Sequence, residues 1–364
     1  MPSSAQVAGE FYLEKATFAP GEPVFLYLKL VNQGPNAVEI STSDPEQPFC
    51  SGNSITVVSD STVTPQCPSF LDSCFVNGRL SPPSPLQPGR SRVVRYLLNF
   101  KYEINAPGGY WLEAKRGDPG AAHSRLHFQV DSNLIFPPSQ LQVWVDQLKS
   151  SDRKMRLEAA RTLASLGPRS RQSVLLGFSN DPELRRYAPL ALHRLNTARS
   201  LEAMADLMTA SGSGTSEQLE AARYLAETDD QKWYPLLLDA AKKNAVMSEY
   251  PAYAAELGGA KMVPELVRLA DNPQSRLQAV MAMGSTGSKE PIPILLELLR
   301  DPDAGVRDRA EYSLSLLTHR TSTQDAKKSD TSVEYMQWEK WWASEGAIAV
   351  IYKDTECGEM APLP

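Results

Sequence analysis

The sequence predicts a multidomain chain in which an all-β sandwich precedes an all-α solenoid. Apolar residues alternate with period two up to about residue 132, which is typical of strands. From Pro138 onward the periodicity is helical, and a unit of about 30 residues recurs. We therefore expect a sandwich at 8–132, a solenoid at 138–320, a linker at 321–332, and a capping helix with a tail at 333–364.

The sandwich is predicted from about seven short strands separated by turn signals. In residues 23–32, Val24, Leu26, Leu28 and Leu30 mark one face of a strand. Turn signals such as Gln87-Pro-Gly-Arg90 separate such segments. The other predicted strands are residues 11–18, 37–41, 54–58, 92–100, 109–114 and 125–130.

Four runs of this region carry a family resemblance to bacterial immunoglobulin-like domains, including the proteinase-inhibitor-like BsuPI group. They are Phe18-Ala-Pro-Gly-Glu-Pro-Val24, Leu28-Lys-Leu-Val-Asn-Gln-Gly34, Leu86-Gln-Pro-Gly89 and Gly108-Gly-Tyr-Trp-Leu112. The match covers about a third of the chain and consists of turn chemistry that many sandwiches share. It implies an immunoglobulin-like fold, and an inhibitory loop would have to come from the insertion at residues 50–86.

Four cysteines bear on the compartment. Cys50, Cys67 and Cys74 lie in a polar loop region and Cys357 lies near the chain end, without Cys-x-x-Cys spacing or a nearby histidine. We expect at least one disulfide among the first three, in an oxidising compartment. The small-residue start is that expected of an exported protein lacking its signal. The alternative is four unpaired thiols in the cytosol.

The helical unit recurs around six central residues. These are Ala159, Ala188, Ala221, Tyr253, Ala279 and Ala310, with spacings of 29, 33, 32, 26 and 31 residues. Small residues let neighbouring helices approach closely. Leucines four positions later are expected on the same buried face: Leu163, Leu192, Leu225 and Leu314.

An Asp and an Arg precede most of these centres, and the pattern resembles the HEAT family, specifically its PBS-lyase-type repeats. The resemblance covers roughly half the chain. It implies a hydrogen-bond ladder between successive repeats and a role as lyase, adaptor or regulatory subunit; the alternative for these charges is a ligand site. The matching pairs are Asp152/Arg156, Asp181/Arg185, Asp271/Arg276 and Asp301/Arg307.

The C-terminal helix carries three tryptophans. Trp338, Trp341 and Trp342 lie at i, i+3 and i+4, so they share one helix face. We expect this face to close the open end of the solenoid; a ligand site is the alternative.

Charge is segregated along the chain. Net charge is −2 for residues 1–137, +6 for 138–200 and −10 for 201–364. A single basic segment argues against a nucleic-acid partner and favours an acidic or extended protein partner. We predict a binding surface on the second helices of the early repeats; the alternative is a solvated face. Its predicted residues are Arg153, Arg185, Arg186, Tyr187, Arg194 and Tyr224.

The sequence offers little chemistry for catalysis. His123 and His127 lie about 13 Å apart along one predicted strand, too far to share a metal. We find no His-Glu-x-x-His, Gly-x-Ser-x-Gly or P-loop motif, and no stretch of roughly 18 apolar residues. The sequence predicts a non-enzymatic scaffold without cofactor, metal or membrane span. A HEAT-like lyase or isomerase and an inhibitory module are the alternatives.

Overall fold

Two compact units make up the chain, Met1–Leu195 and Asn196–Pro364. A computed structural model describes residues 6–40, 53–60, 84–102, 104–117, 120–170, 172–210, 215–246, 249–320, 331–354 and 360–362. The first unit holds a β-rich region and the first helices, and the second is mainly helical. The four cysteines, and the disulfide predicted among them, lie outside the described residues.

Nine strands are described in the β-rich region: β1 (Val7–Leu13), β2 (Thr17–Phe18), β3 (Phe25–Asn32), β4 (Val38–Ile40), β5 (Asn53–Ser59), β6 (Ser84–Leu86), β7 (Ser91–Leu97), β8 (Gly108–Arg116) and β9 (Ala122–Val130). One sheet has the order β1-β3-β7 and the other β2-β9-β8-β5, while β4 pairs with β6. All pairs are antiparallel except β2 with β9.

Both sheets contribute to one hydrophobic core. Leu26, Leu28 and Leu30 of β3 are completely buried, as the period-two pattern predicts. From the other sheet, Tyr110 and Leu112 of β8 join the same cluster. The core therefore lies between the inward-facing residues of the two sheets.

The strand prediction differs from the structure in two places. Predicted strand 11–18 is two strands, β1 and β2, that pair with different sheets. Strand β6 was not predicted, because Pro85 within three residues is typical of a loop. Two or three residues are too few for a periodicity signal.

The first unit continues into helices α1 (Pro138–Gln147), α2 (Arg153–Leu166), α3 (Gln172–Gly177) and α4 (Ala188–Leu195). The Asp152 carboxylate accepts a hydrogen bond from the Lys154 amide and caps α2. Ala159 and Leu163 are completely buried, at the predicted repeat positions. Helix α2 contacts α1, α4 and the short 3₁₀ turn at Leu98–Phe100 of the β-rich region.

Eight of the helices described in the second unit form four consecutive pairs. They are α5 (Ala198–Thr209), α6 (Ser216–Glu227), α7 (Tyr234–Lys243), α8 (Glu249–Gly258), α9 (Val263–Ala270), α10 (Arg276–Met283), α11 (Ile292–Leu298) and α12 (Ala304–Thr318). Each odd-numbered helix packs on the next one. The second members also contact one another in the order α6, α8, α10, α12, so they form a continuous layer. The predicted centres Ala221, Tyr253, Ala279 and Ala310 are buried in it.

The chain ends in helix α13 (Thr331–Glu345) and a two-stranded pair, β10 (Tyr352–Asp354) with β11 (Met360–Pro362). Helix α13 contacts α11, and Tyr335, Trp338 and Trp341 are buried among its described side chains, whereas Trp342 is only half-buried. None of the helices among the described residues is both long enough and apolar enough to cross a membrane.

Candidate functional site

Two arginines of helix α2 hold one carboxylate in the first unit. The Arg156 Nη2 lies 2.6 Å from Glu183 Oε2, and the Arg153 Nε lies 2.9 Å from Oε1 of the same side chain. Hydrogen bonding by Arg156, joined by Arg153, holds the pKa of Glu183 below its usual range. The carboxylate is therefore ionised and leaves this group of three with one positive charge.

The repeat arginines also bind the turn that precedes their own helix. Arg156 Nη1 donates to the Ser150 carbonyl at 2.7 Å, and Arg307 Nη1 donates to the Asp301 carbonyl at 2.7 Å. Arg185 Nε donates to the Ser179 carbonyl at 3.1 Å. Each acceptor lies six residues before its arginine, so the repeated arginine serves a repeated structural purpose.

The links between repeats follow the predicted ladder at one described place and depart from it at another. Arg276 pairs with Asp301, the ladder aspartate of the next repeat, whereas Arg156 pairs with Glu183, not with Asp181. Asp181 instead accepts hydrogen bonds from the Glu183 and Leu184 amides. Because Asp181 is occupied in capping the turn, Glu183 is the acid that reaches the preceding repeat.

The six predicted binding residues do not form one exposed surface. Arg185 and Arg186 are exposed, and the Arg153 side chain is 63 % exposed. Arg194 is half-buried and donates from Nη1 to the Ser165 carbonyl at 2.8 Å. The two tyrosines, Tyr187 and Tyr224, are buried. Arg153, Arg185 and Arg186 are thus the predicted residues best placed to meet a partner.

A charged cluster that the sequence did not predict lies between α6 and α8. Arg223 Nη1 pairs with Glu227, and the Arg223 guanidinium lies 4.1 Å from the centre of the Tyr224 ring. Burial opposes the charge of Arg223, but Tyr224, Glu227 and Glu220 outweigh burial and raise its pKa. Burial also raises the pKa of Tyr253 on α8. The i, i+4 spacing of Arg223 and Glu227 in the sequence indicates an ion pair. The burial of this pair depends on the packing of α8 against α6, which the spacing does not reveal.

The histidines of the β-rich region bind separate carboxylates. His123 Nε2 lies 3.1 Å from Glu113 Oε1, and His127 Nε2 lies 3.4 Å from Asp60 Oδ2. Within the described ranges, no group of three His, Cys, Asp or Glu side chains is arranged to hold a metal ion. All four of these side chains are exposed, so these contacts lie at the surface of the β-rich region.

Two of the solved structures that this chain is similar to are of the same protein. A point mutant of Salmonella alpha-2-macroglobulin is 12 % identical with a TM-score of 0.20, over 86 % of this chain and 26 % of that one. The same protein after reaction with methylamine is 11 % identical with a TM-score of 0.21, over 92 % and 27 %. This chain thus spans about a quarter of the length of those proteins, and such scores carry no inference about its fold.

The sequence comparisons point to the helical region. No curated protein sequence matches the chain. Residues 252–315, from within α8 to within α12, match the family model for HEAT repeats. The chain is a β-rich region followed by a helical region that contains a HEAT repeat.

Proposed function

We propose that this chain is a non-enzymatic protein-binding or scaffolding protein, built from an immunoglobulin-like sandwich and a HEAT-type solenoid. The observation that carries the proposal is the continuous layer formed by α6, α8, α10 and α12, part of which matches HEAT repeats. HEAT repeats in general mediate protein interactions, because stacked helix pairs present an extended and rigid surface.

The binding surface that we propose is the basic one of the first unit. Arg185 and Arg186 are exposed, and Arg153 shares a single carboxylate with Arg156. Residues 138–200 carry a net charge of +6. A basic surface of this kind fits an acidic or extended segment of a partner protein. Long-range electrostatic attraction would also accelerate the association of the two proteins.

The test is an affinity capture with the full chain, followed by a binding measurement with the captured protein. The source organism's envelope fraction is the material to search, since the cysteine-bearing loop predicts an oxidising compartment. The test variant combines Arg153→Glu with Arg186→Glu. The matched control is Arg90→Glu, which reverses an exposed charge in a turn of the β-rich region.

We expect the double variant to lose the partner while the control retains it. Because Arg153→Glu replaces the ion pair with Glu183 by two like charges, the melting temperature of the double variant should fall, and binding is measured well below the unfolding transitions of both variants. Binding by the unaltered chain should weaken as salt rises, because exposed charges are screened over about 8 to 10 Å. Arg194 is left intact because it binds the Ser165 carbonyl. Equal capture by the double variant and the control would remove the basic surface from the proposal.

A further inference from the structure

Residues 351–353 lie against the ends of two helices of the second unit. Ile351 is 6 % exposed, and strand β10 contacts α12. The Tyr352 ring centre lies 5.2 Å from that of His319, the residue that ends α12. Lys353 Nζ lies 3.1 Å from Asp229 Oδ1, just beyond the end of α6. A short extended segment therefore contacts both the repeat centred on Ala221, which contains α6, and the repeat centred on Ala310, which contains α12.

The surface beneath this segment suits a basic side chain beside an aromatic one. Both contact points are helix C-termini, where the helix dipole places negative partial charge. Asp229 adds a full negative charge, and residues 201–364 carry sixteen Lys and Arg against twenty-six Asp and Glu. His319 supplies a ring on which an aromatic side chain can stack. The surface thus selects by both charge and shape.

The segment is held by few contacts. Among residues 348–353, Ile351 is the one buried side chain, while its neighbours Ile348 and Val350 are 81 % and 50 % exposed. The Asp229 side chain is 76 % exposed, so its ion pair with Lys353 is weak. Strand β10 has three residues and pairs with the three residues of β11. A pair of such short strands is not stable by itself, so another segment can replace this one.

We propose that the ends of α6 and α12 form a docking site for an extended segment of a partner protein with an aliphatic, an aromatic and a basic residue in succession. Ile351, Tyr352 and Lys353 fill this site in the isolated chain and are displaced when the partner binds. The proposal rests on the proposed function in that the chain binds proteins. It uses a different unit and the opposite charge from the basic surface, so either can fail alone.

The test is a competition between the chain's own segment and a free copy of it. The probe is a fluorescein-labelled peptide of residues 349–364 with Cys357→Ser, and the receptors are the full chain and a chain that ends at Ala349. We expect saturable anisotropy with the shortened chain. Binding to the full chain should be weaker by roughly tenfold or more, because its own segment competes at high effective concentration.

Point variants show whether the peptide occupies this site. In the shortened chain, Asp229→Asn should weaken peptide binding by about twofold to fivefold, the effect of one exposed ion pair. Asparagine tolerates the positive φ of 54° at this position. The matched control Asp239→Asn, on α7 and also exposed, should change nothing. In the peptide, Ile351→Ala should remove most of the affinity and Val350→Ala should leave it intact.

A second receptor keeps the test decisive if the shortened chain does not fold. The full chain with Ile351→Ser keeps its tail but loosens it, and we expect it to bind the probe more tightly than the unaltered chain does. Equal weak binding by both, or equal effects of Asp229→Asn and Asp239→Asn, would overturn the proposal. So would concentration-dependent dimerisation of the full chain through exchanged tails, since the occupant would then be a second copy.

Discussion

Arg95 of strand β7 forms an ion pair with Glu158 of helix α2. The same guanidinium lies 4.4 Å from the centre of the Phe25 ring, and that ring centre lies 6.1 Å from that of Trp144 on α1. These contacts join the β-rich region to the first helices within the unit Met1–Leu195. The hydrophobic periodicity of the sequence changes from strand-like to helical at Pro138, whereas tertiary contacts connect the residues before Pro138 with those after it.

Phe25→Ala should destabilise the first unit by about 3 kcal/mol, because it removes a buried aromatic ring that both α1 and Arg95 contact. Arg95→Ala should cost no more than about 1 kcal/mol, since both partners of its ion pair are partly exposed. The measurement is the urea midpoint, with hydrogen exchange of α1 as a local probe. Val93→Ala serves as the control, because Val93 is 52 % exposed and lies on β7, the strand of Arg95. A midpoint for Phe25→Ala no lower than that of the control would contradict the contact.

Glu183→Gln should reduce stability at neutral pH, and the difference from the unaltered chain should disappear in acid. The folded-state pKa of Glu183 is lowered, first by Arg156. Its stabilising effect is therefore complete above the ordinary pKa of 4.5 and is lost as pH falls through the folded-state value. Urea midpoints at a series of pH values check this. A difference that stays constant down to pH ~2 would show that the charge of Glu183 is not the cause.

Regular patterns made much of the fold predictable. The alternation in β3 and the recurring small residues of the repeats reflect local geometry that every copy shares, and Leu26, Ala159 and Ala310 are buried as expected. A periodic pattern averages over several residues. It therefore located long elements well and missed the two-residue β2 and the proline-containing β6.

The candidate site was less predictable, because it depends on which acid reaches which arginine. Asp181 matched the family pattern, yet its carboxylate caps a turn and Glu183 makes the contact with Arg156. Tyrosine is typical of interfaces, and this is why the sequence predicts Tyr187 and Tyr224 as binding residues. Both are buried, because composition alone does not distinguish the buried side of a helix or turn from its exposed side.

Trp341→Ala should lower stability by roughly 3 to 5 kcal/mol, the usual effect of removing a buried tryptophan ring. Trp341 is 8 % exposed, contacts Trp338, and donates from Nε1 to Glu345 at 3.1 Å. Thermal unfolding of the full chain is the measurement, and truncation after Ser322 should lower the melting temperature as well. Met336→Ala, on the exposed side of α13, is the control. An unchanged melting temperature on truncation would mean that α13 does not stabilise the repeats.

At least one disulfide should join two of Cys50, Cys67 and Cys74 in the natively prepared protein. Closing a loop of this length stabilises the folded state by on the order of 3 kcal/mol. Alkylation under denaturing, non-reducing conditions followed by mass spectrometry counts the free thiols directly. We expect two or none. Four alkylated cysteines would contradict both the disulfide and the oxidising compartment that it implies.

Arg223→Met should destabilise the second unit by about 3 to 5 kcal/mol, because it leaves Glu227 as a buried charge without its partner. The two side chains are only 12 % and 10 % exposed, and Arg223 also lies over the Tyr224 ring. The double variant Arg223→Met with Glu227→Leu should recover much of that loss, since an apolar pair of similar volume needs no charge compensation.

A double-mutant cycle of urea midpoints tests this pair, with Lys243→Met and Asp239→Asn as the exposed reference cycle on α7. The Lys243 and Asp239 side chains are 70 % and 55 % exposed, so their ion pair should show a coupling of no more than about 0.5 kcal/mol. The coupling of Arg223 with Glu227 should be several times larger. Two cycles of equal size would mean that water reaches the cluster between α6 and α8 as readily as it reaches the surface of α7.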